Sequence, residues 1–477
     1  MIDFSNLEQY RENNRIEAKR ALGGLPESIW ETYSAFANTL GGIILLGVEE
    51  HRDGSLHAIA LPDPEWLAET FWEAVNDPQK ASVNILSEQN VRIEDADGKP
   101  IVVITVPRAQ RFDKPVYIDG NPMAGTYRRS GEGDYKCTRE EVESMLRDAA
   151  IQTPDMKLLS QSPLEGLDLG TVRRYRLRMQ AFAPGDTDGS PAEFLCRIGA
   201  AAQSGDRQLH PTAAGLLMFG RADGICREFP HYHLDYQEQD GGGGCVSRIV
   251  SSAGDWSGNL YDFYCQVSEK ILQWPGLPDM GMENGGEAVY RALLEALANC
   301  LVNADYYGRG GICIRMYPSL ASFSNPGVFR IGLREARSGG ISDPRNAALV
   351  RMFQLVRIAE RAGSGIPHIY AAWKKQGWAA PAITERFCPE RTTLSLPIGT
   401  SSVPEGSLPG GGAAAGRLQK RLIIDYLTDR ISATAGEIAA YTGQPAAQVQ
   451  EALAELAAAD IIACQGDGPD RRYQLKA

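Results

Sequence analysis

The sequence predicts a multidomain chain of α/β (α+β) class, and three observations carry that expectation. At 477 residues the chain is too long for one hydrophobic core, and about three or four domains are expected for such a length. Apolar, β-branched runs such as "IILLGV" and "PIVVITVP" alternate with segments of helical period. A Gly/Ser/Pro-rich stretch, "GTSSVPEGSLPGGGAAAG" at 399–416, reads as a flexible tether before a small C-terminal segment. Hydrophobic residues make up 43% of the chain, enough for each piece to bury a core.

Residues 1–150 read as a mixed α/β unit. Ile16 to Lys19 alternates apolar and charged residues, so a strand is expected with Glu17 and Lys19 on one face. Pro26 opens a helix in which Ile29, Tyr33, Phe36 and Leu40 recur at three- and four-residue steps, and Gly41-Gly42 ends it. "IILLGV" is then a buried strand with Glu50 at its end. Strands are expected in "ASVNILSEQNVRI", "PIVVITVP" and "GTYRRS", and Thr138 with Glu141 forms a capping box for a following helix.

Residues 151–280 form a connecting α/β region. It holds the helix "EGLDLGTVRRYRLRMQAFAP", the small apolar "HPTAAGLLMFG" and a four-glycine loop at 241–244. That loop reads as a surface turn, with phosphate contact as the alternative. Residues 281–398 carry a long helix, "AVYRALLEALANCLVNADYY", the strand "GGICIRMYP" and the turn "SNPGVFR". Residues 417–477 read as three helices followed by a hairpin, the pattern of a winged helix.

The totals exclude several classes. The net charge of −12 argues against a protein that coats polyanions, so any nucleic-acid contact must come from a local basic face. The N-terminus lacks a signal-peptide layout and no apolar run reaches the roughly 20 residues of a membrane span. Nine scattered cysteines without a C-x-x-C pair read as reduced thiols, which places the chain in the cytoplasm.

A strand–helix–strand unit can bring Glu12, Glu17, Lys19 and Glu50 to one edge. Three carboxylates and a lysine suit a magnesium- or manganese-dependent phosphodiesterase, since hard cations take oxygen ligands and neutralise charge on phosphate. The same spacing is met by a solvated charged face. Arg15, Arg20, Tyr127, Arg128, Arg129 and Lys136 are the nearby candidates for nucleic-acid contact. Further on, Glu295 and Asn299 are four apart and so neighbours on one helix face. They can activate water and ligate magnesium, or form an ordinary polar pair.

"ENNRIEAK", "SAFANTLGGIILLGVEE" and "GTYRRSGEGD" together resemble the Schlafen-type, AlbA-like domain. The resemblance implies RNA cleavage, of tRNA for example, at a three-acid metal site of Glu12, Glu17 and Glu50, with Lys19 beside it. Glu50 stands where the nucleases have Asp, which moves the carboxylate by about 1 Å. "EALANCLVNADYY", "NPG" and "RNAALVRMFQLVRIAERAGSGI" are similar to the divergent histidine-kinase-type ATP-binding domain, a Bergerat-type α/β sandwich. That resemblance implies an ATP site of Glu295, Asn299, Asn325, Gly327, Gly363 and Gly365, and it assigns no role to Arg345 and Asn346. "NADY" replaces the family's "HRDY", and the "NPG" turn lacks an adenine-reading Asp, so binding is expected rather than hydrolysis. "HPTAAGLLMFG" and "GDWSGNLYDFY" also fit this second family.

The expected protein is thus a homo-oligomeric, Schlafen-like endoribonuclease with a nucleotide-sensing domain, in defence or stress. The alternatives are a non-catalytic DNA-binding transcriptional regulator with a ligand-sensing domain, and a scaffold with two relic sites.

Overall fold

The structure, a computed structural model, describes residues 3–205, 207–240, 244–278, 285–359, 363–399, 423, 427, 432–442, 446–458, 461–466 and 471–475. The chain divides into two compact units, Met1–Ala149 with Ala413–Ala477, and Ala150–Gly412. Both mix helices and sheets, as a multidomain α/β chain should.

In the first unit, strand β1 (Ile16–Lys19), helix α1 (Ile29–Asn38) and strand β2 (Gly42–Leu46) form a crossover, with β1 and β2 parallel. β3 (Val48–Glu50) and β4 (Leu56–Ala58) make a separate two-stranded ribbon. After α2 (Pro64–Val75), β5 (Val91–Ala96) and β6 (Lys99–Val106) complete a four-stranded sheet in the order β1-β2-β6-β5. A short α3 (Pro122–Gly125) leads to the hairpin β7 (Tyr127–Ser130) and β8 (Gly133–Lys136), then to α4 (Arg139–Ala149). The sheet is covered on both faces, which is why β2 and β6 read as continuous apolar runs. Ile44, Leu46, Val102 and Ile104 meet α1 and α2, while Leu45, Ile101 and Val103 meet Leu7, Tyr10 and Ile16.

Two glycines set this path. Gly41 ends the turn after α1 at φ 75°, where a Cβ would stand 2.7 Å from the Val106 carbonyl oxygen. Gly47, at φ 85°, breaks the expected strand "IILLGV". β2 therefore stops at Leu46, and Glu50 belongs to the β3–β4 ribbon.

The end of α1 is held by a buried amide. Asn38 Oδ1 accepts from Val116 N at 2.9 Å, and its Nδ2 donates to Val116 O at 2.7 Å and Tyr127 O at 3.0 Å. Ser34 Oγ donates to Val116 O at 2.7 Å and accepts from Tyr127 N at 3.0 Å. The polar letters of "SAFAN" thus fasten the β7 hairpin to α1.

In the tail of this unit, the described parts are Ala433–Thr434, the helices Ala435–Thr442 and Ala446–Ala458, and a hairpin of Ile462–Gln465 with Arg472–Leu475. Ala433–Thr434 pairs with Arg472–Leu475, and Ile438, Val449, Leu453, Leu456 and Tyr473 share a core. The tether expected at 399–416, apart from residue 399, and most of the first helix expected after it lie outside the described residues.

The second unit opens with α5 (Leu169–Gln180), capped by Asp168, and α6 (Pro191–Arg197). The ribbon β9 (Ala201–Gln203) and β10 (Leu209–Pro211) follows, then α7 (Ala213–Phe219) and α8 (Ala222–Glu228). β11 (Leu234–Gln239), β12 (Cys245–Val250), α9 (Leu260–Gln273), α10 (Gly286–Asn303), β13 (Ile312–Tyr317) and β14 (Leu320–Pro326) come next. α11 (Leu333–Ser338), α12 (Ala347–Leu355), α13 (Gly365–Gln376), β15 (Ala382–Phe387) and β16 (Glu390–Pro397) complete it. The six-stranded sheet runs β12-β11-β13-β14-β16-β15, and only its β11–β13 pair is parallel. Because β11 pairs with β13, the boundary expected near residue 280 falls inside one sheet and one core. Of the four-glycine loop, 241–243 lie outside the described residues.

Asn38→Ala should leave Val116 and Tyr127 backbone groups buried without partners, and lower stability by about 2–4 kcal/mol. Urea unfolding followed by tryptophan fluorescence measures this, since Trp30 is buried in the same core.

Candidate functional site

The register of β1 puts Glu17 and Lys19 on one face, and they meet: Lys19 Nζ donates to Glu17 Oε1 at 2.9 Å and to Ser28 Oγ at 3.1 Å. The other carboxylate oxygen of Glu17 lies 2.9 Å from Arg129 Nη2, an ion pair off the line of a hydrogen bond. The Arg129 side chain is only 1% exposed. Its Nη2 donates to Asn13 O at 2.8 Å, its Nη1 to Asp134 Oδ1 at 3.0 Å, and its carbon centre lies 5.1 Å from the Phe36 ring centroid. Thr32 Oγ1 in turn donates to Asp134 Oδ2 at 2.7 Å.

Glu12 accepts from Ala18 N at 2.9 Å. Burial first, then the nearby Glu17 and Glu50 charges, push its carboxyl up to about 7, against the Ala18 hydrogen bond and Arg129. Glu50 is also raised, by burial, Glu132 and Glu17, with Arg11 opposing. The three acids therefore share one electrostatic neighbourhood.

They do not form the expected magnesium or manganese triad. Among the described residues, no group of three or more His, Cys, Asp or Glu side chains is placed to hold a metal ion. Glu17 is spent on two cations, and the bend at Gly47 puts Glu50 on its own ribbon. As placed here, Glu12, Glu17 and Glu50 are not arranged as a three-carboxylate metal centre.

The basic candidates divide in the same way. Arg15 donates to the Leu40 carbonyl at the end of α1, and Arg128 pairs with Glu141 at 2.9 Å. Arg20 is exposed and lies 3.4 Å from Glu49. Tyr127 is buried and donates to Glu31 Oε1 at 2.9 Å, so it cannot stack a base as expected. Strand alternation explains the loss: Tyr127 and Arg129 share the inward face of β7. The second tyrosine of "TYRRSGEGDYK", Tyr135, is the accessible one, 54% exposed on β8 opposite Arg128. The same period-two rule, applied to "GDYK", separates the outward Tyr135 from the inward Asp134.

In the second unit, a cavity of about 160 Å³ opens between α10, the sheet and the start of α13. Five of the six expected nucleotide residues line it: Glu295, Asn299, Asn325, Gly363 and Gly365. Gly327 instead makes room for a neighbour, since a Cβ there would stand 2.4 Å from Arg345 Nη1. Arg345 Nη1 donates to Asn303 O at 2.7 Å, and Asn346 Nδ2 to Val302 O at 3.0 Å and Ala304 O at 2.8 Å. These two residues satisfy carbonyls at the C-terminal end of α10, which have no helical partners of their own.

Three family descriptions match the chain. "Schlafen, AlbA_2" matches residues 12–138, "Putative ATP-dependent DNA helicase recG C-terminal" matches 310–393, and a domain of unknown function matches 143–235. The stretch at 210–220 thus lies in a separate matched region, and Glu295 and Asn299 lie ahead of the helicase-type match. No curated protein matches the chain. Among solved structures, the DIP2311 protein from Corynebacterium diphtheriae is 15% identical over 97% of this chain and 95% of its own, with a TM-score of 0.40. The N-terminal domain of a putative ATP-dependent DNA helicase RecG-related protein from Nitrosomonas europaea is 32% identical over 29% of this chain and 95% of its own, with a TM-score of 0.23.

Glu12→Gln tests the electrostatics. A carboxyl raised from about 4.5 to about 7 in the folded state stabilises below pH 4.5, and that contribution is lost as pH rises to 7. The neutral amide keeps the Ala18 bond, so the variant should melt higher than the parent at pH 8 and show little gain at pH 4.5. Melting curves at the two pH values check this.

Proposed function

We propose that this chain, which carries a Schlafen AlbA_2 domain at 12–138 and a RecG C-terminal-type domain at 310–393, is a nucleic-acid-binding regulator with a nucleotide-sensing pocket. It would bind through the β7–β8 hairpin and respond to an adenine-type ligand in the second unit. The observation that carries this reading is Tyr135, an exposed ring with Arg128 5.9 Å over its face. An exposed aromatic ring beside an arginine suits the stacking of an unpaired base. ATP hydrolysis is not part of this reading, because "NADY" and the "NPG" turn depart from the family's strings.

We read residues 417–477 as a winged helix used for protein contact, including self-association. The helix Ala446–Ala458 contains no Lys or Arg, and phosphate neutralisation dominates DNA affinity. Among the described residues no helix is long and apolar enough to cross a membrane, and a cytoplasmic setting accords with nine free thiols.

Tyr135→Ala should weaken binding of a fluorescent single-stranded RNA or DNA by about 1–3 kcal/mol, the worth of one stacked base. Anisotropy titration at fixed salt measures it, and an unchanged affinity removes the hairpin as the interface.

Endoribonuclease action on structured RNA such as tRNA is a second reading, favoured by the electrostatic coupling of Glu12, Glu17 and Glu50. Incubation with total tRNA and manganese decides between the two. Discrete fragments that Glu12→Ala cannot make would support cleavage, whereas intact RNA alongside binding supports the regulator.

A further inference from the structure

The six-stranded sheet of the second unit has two unlike faces. Along β13, Ile312, Ile314 and Met316 are buried, while Cys313, Arg315 and Tyr317 alternate with them and are half-exposed. β14 repeats the pattern, with Ala321 and Phe323 buried and Ser322 and Ser324 half-exposed. The buried set shares a core with Leu293, Leu297 and Leu301 of α10. The other set forms an open face, since successive strand residues point to opposite sides.

Register carries that open face across the strands. Arg315 stands opposite Ser322 and Gln237, Ser322 opposite Ser395, and Gln237 opposite Arg248. One row along, Thr393 stands between Ser324 and Thr384. Beside the β15–β16 turn, Arg386 is directly opposite Arg391. By this alternation four arginines, Arg248, Arg315, Arg386 and Arg391, share the face with one strand carboxylate, Asp235.

That carboxylate does not balance them. Asp235 Oδ1 accepts from Arg248 Nε at 2.9 Å and its Oδ2 from Arg315 Nη2 at 2.8 Å, so two cations share one anion. Arg391 donates to Ser324 Oγ and to the Gly310 and Gly311 carbonyls, each at 2.8 Å, and all three are neutral. Arg386 is exposed and has no partner among the described residues. Like charges directly opposite one another destabilise a sheet, and here only neutral groups stand between them. The hydroxyls of Ser322, Ser395 and Thr384 are also free among the described residues.

We propose that this open face is a second nucleic-acid contact, across which an extended single strand lies. Arg386 and Arg391 take its phosphates, and the free hydroxyls take phosphate or sugar oxygens. In a chain of net charge −12, this is a local surface of the opposite sign. Cations and hydroxyls spread over a flat sheet match a backbone that carries a charge at every nucleotide. The proposal rests on the nucleic-acid-binding reading above and adds to the β7–β8 hairpin a site in the second unit.

The full chain is titrated by anisotropy with a labelled single-stranded RNA or DNA over a range of salt. Arg386→Gln should weaken binding about fivefold at about 0.1 M salt and lower the slope of log affinity against log salt by about 0.7, the counterion term of one phosphate on a single strand. Ser395→Glu sets a carboxylate on the face and should weaken binding at least as much. Both side chains lack partners, so both variants should melt with the parent. If both bind as the parent does while Tyr135→Ala weakens binding, the sheet face is overturned and the hairpin stands. If Tyr135→Ala is silent and the two sheet variants weaken binding, the face stands without the hairpin. If the parent binds neither oligonucleotide, both readings fall. A poly-glutamate peptide that binds the parent as tightly as the oligonucleotide, with the same losses in both variants, assigns the face to an acidic protein and overturns the proposal.

Discussion

A guanidinium taken almost wholly out of water joins the start of the first unit to its hairpin. Arg129 reaches Asn13 and Ile16 carbonyls, Glu17, Asp134 and the face of Phe36. Burying such a charge is costly unless every direction is answered, and removing one partner leaves the rest exposed to that cost. Two carboxylates therefore stay beside it, and Lys19 beside one of them. This constraint decides the chemistry of the acidic edge. Glu17 balances a cation of its own chain, and Glu12 is left partly buried among like charges. The cluster that resembles a metal centre in the sequence is, in the fold, an ion-pair network with one poorly accommodated acid.

The second unit uses cations similarly. Arg345 and Asn346 occupy carbonyls at the end of α10 that the helix cannot satisfy itself. This fixes the helix that carries Glu295 and Asn299, and Gly365 lets α13 close upon them. Among the described residues of the pocket, Arg330 and Arg345 donate to carbonyls of its own walls.

Much of the architecture could be read from the letters. Alternation in Ile16–Lys19, the apolar face of Ile29, Tyr33 and Phe36, and the capping box of Thr138 with Glu141 each describe local backbone, and local rules suffice for them. Five residues that the second resemblance assigns to a nucleotide line one cavity, whereas helix spacing by itself pairs only Glu295 with Asn299. What escaped were long-range consequences. Nothing near Arg129 in the sequence says that its partner is Glu17, more than a hundred residues earlier. The positive φ at Gly47 needed the packing of Leu61 to be visible. Tyr127 and Tyr135 differ only in which side of a hairpin meets α1. The parallel pairing of β11 with β13 spans over seventy residues and hid the continuity of the second unit.

That pairing has a consequence for how the chain can be cut. The matched region at 143–235 ends within β11, and the one at 310–393 begins just before β13. A fragment starting at 281 would bare the flank of β13, whose Ile312, Ile314 and Met316 are buried in the whole chain. A long apolar strand with an open edge invites pairing with a second molecule. The helicase-type segment is therefore not a portable module: its solubility depends on a strand lent by the region before it.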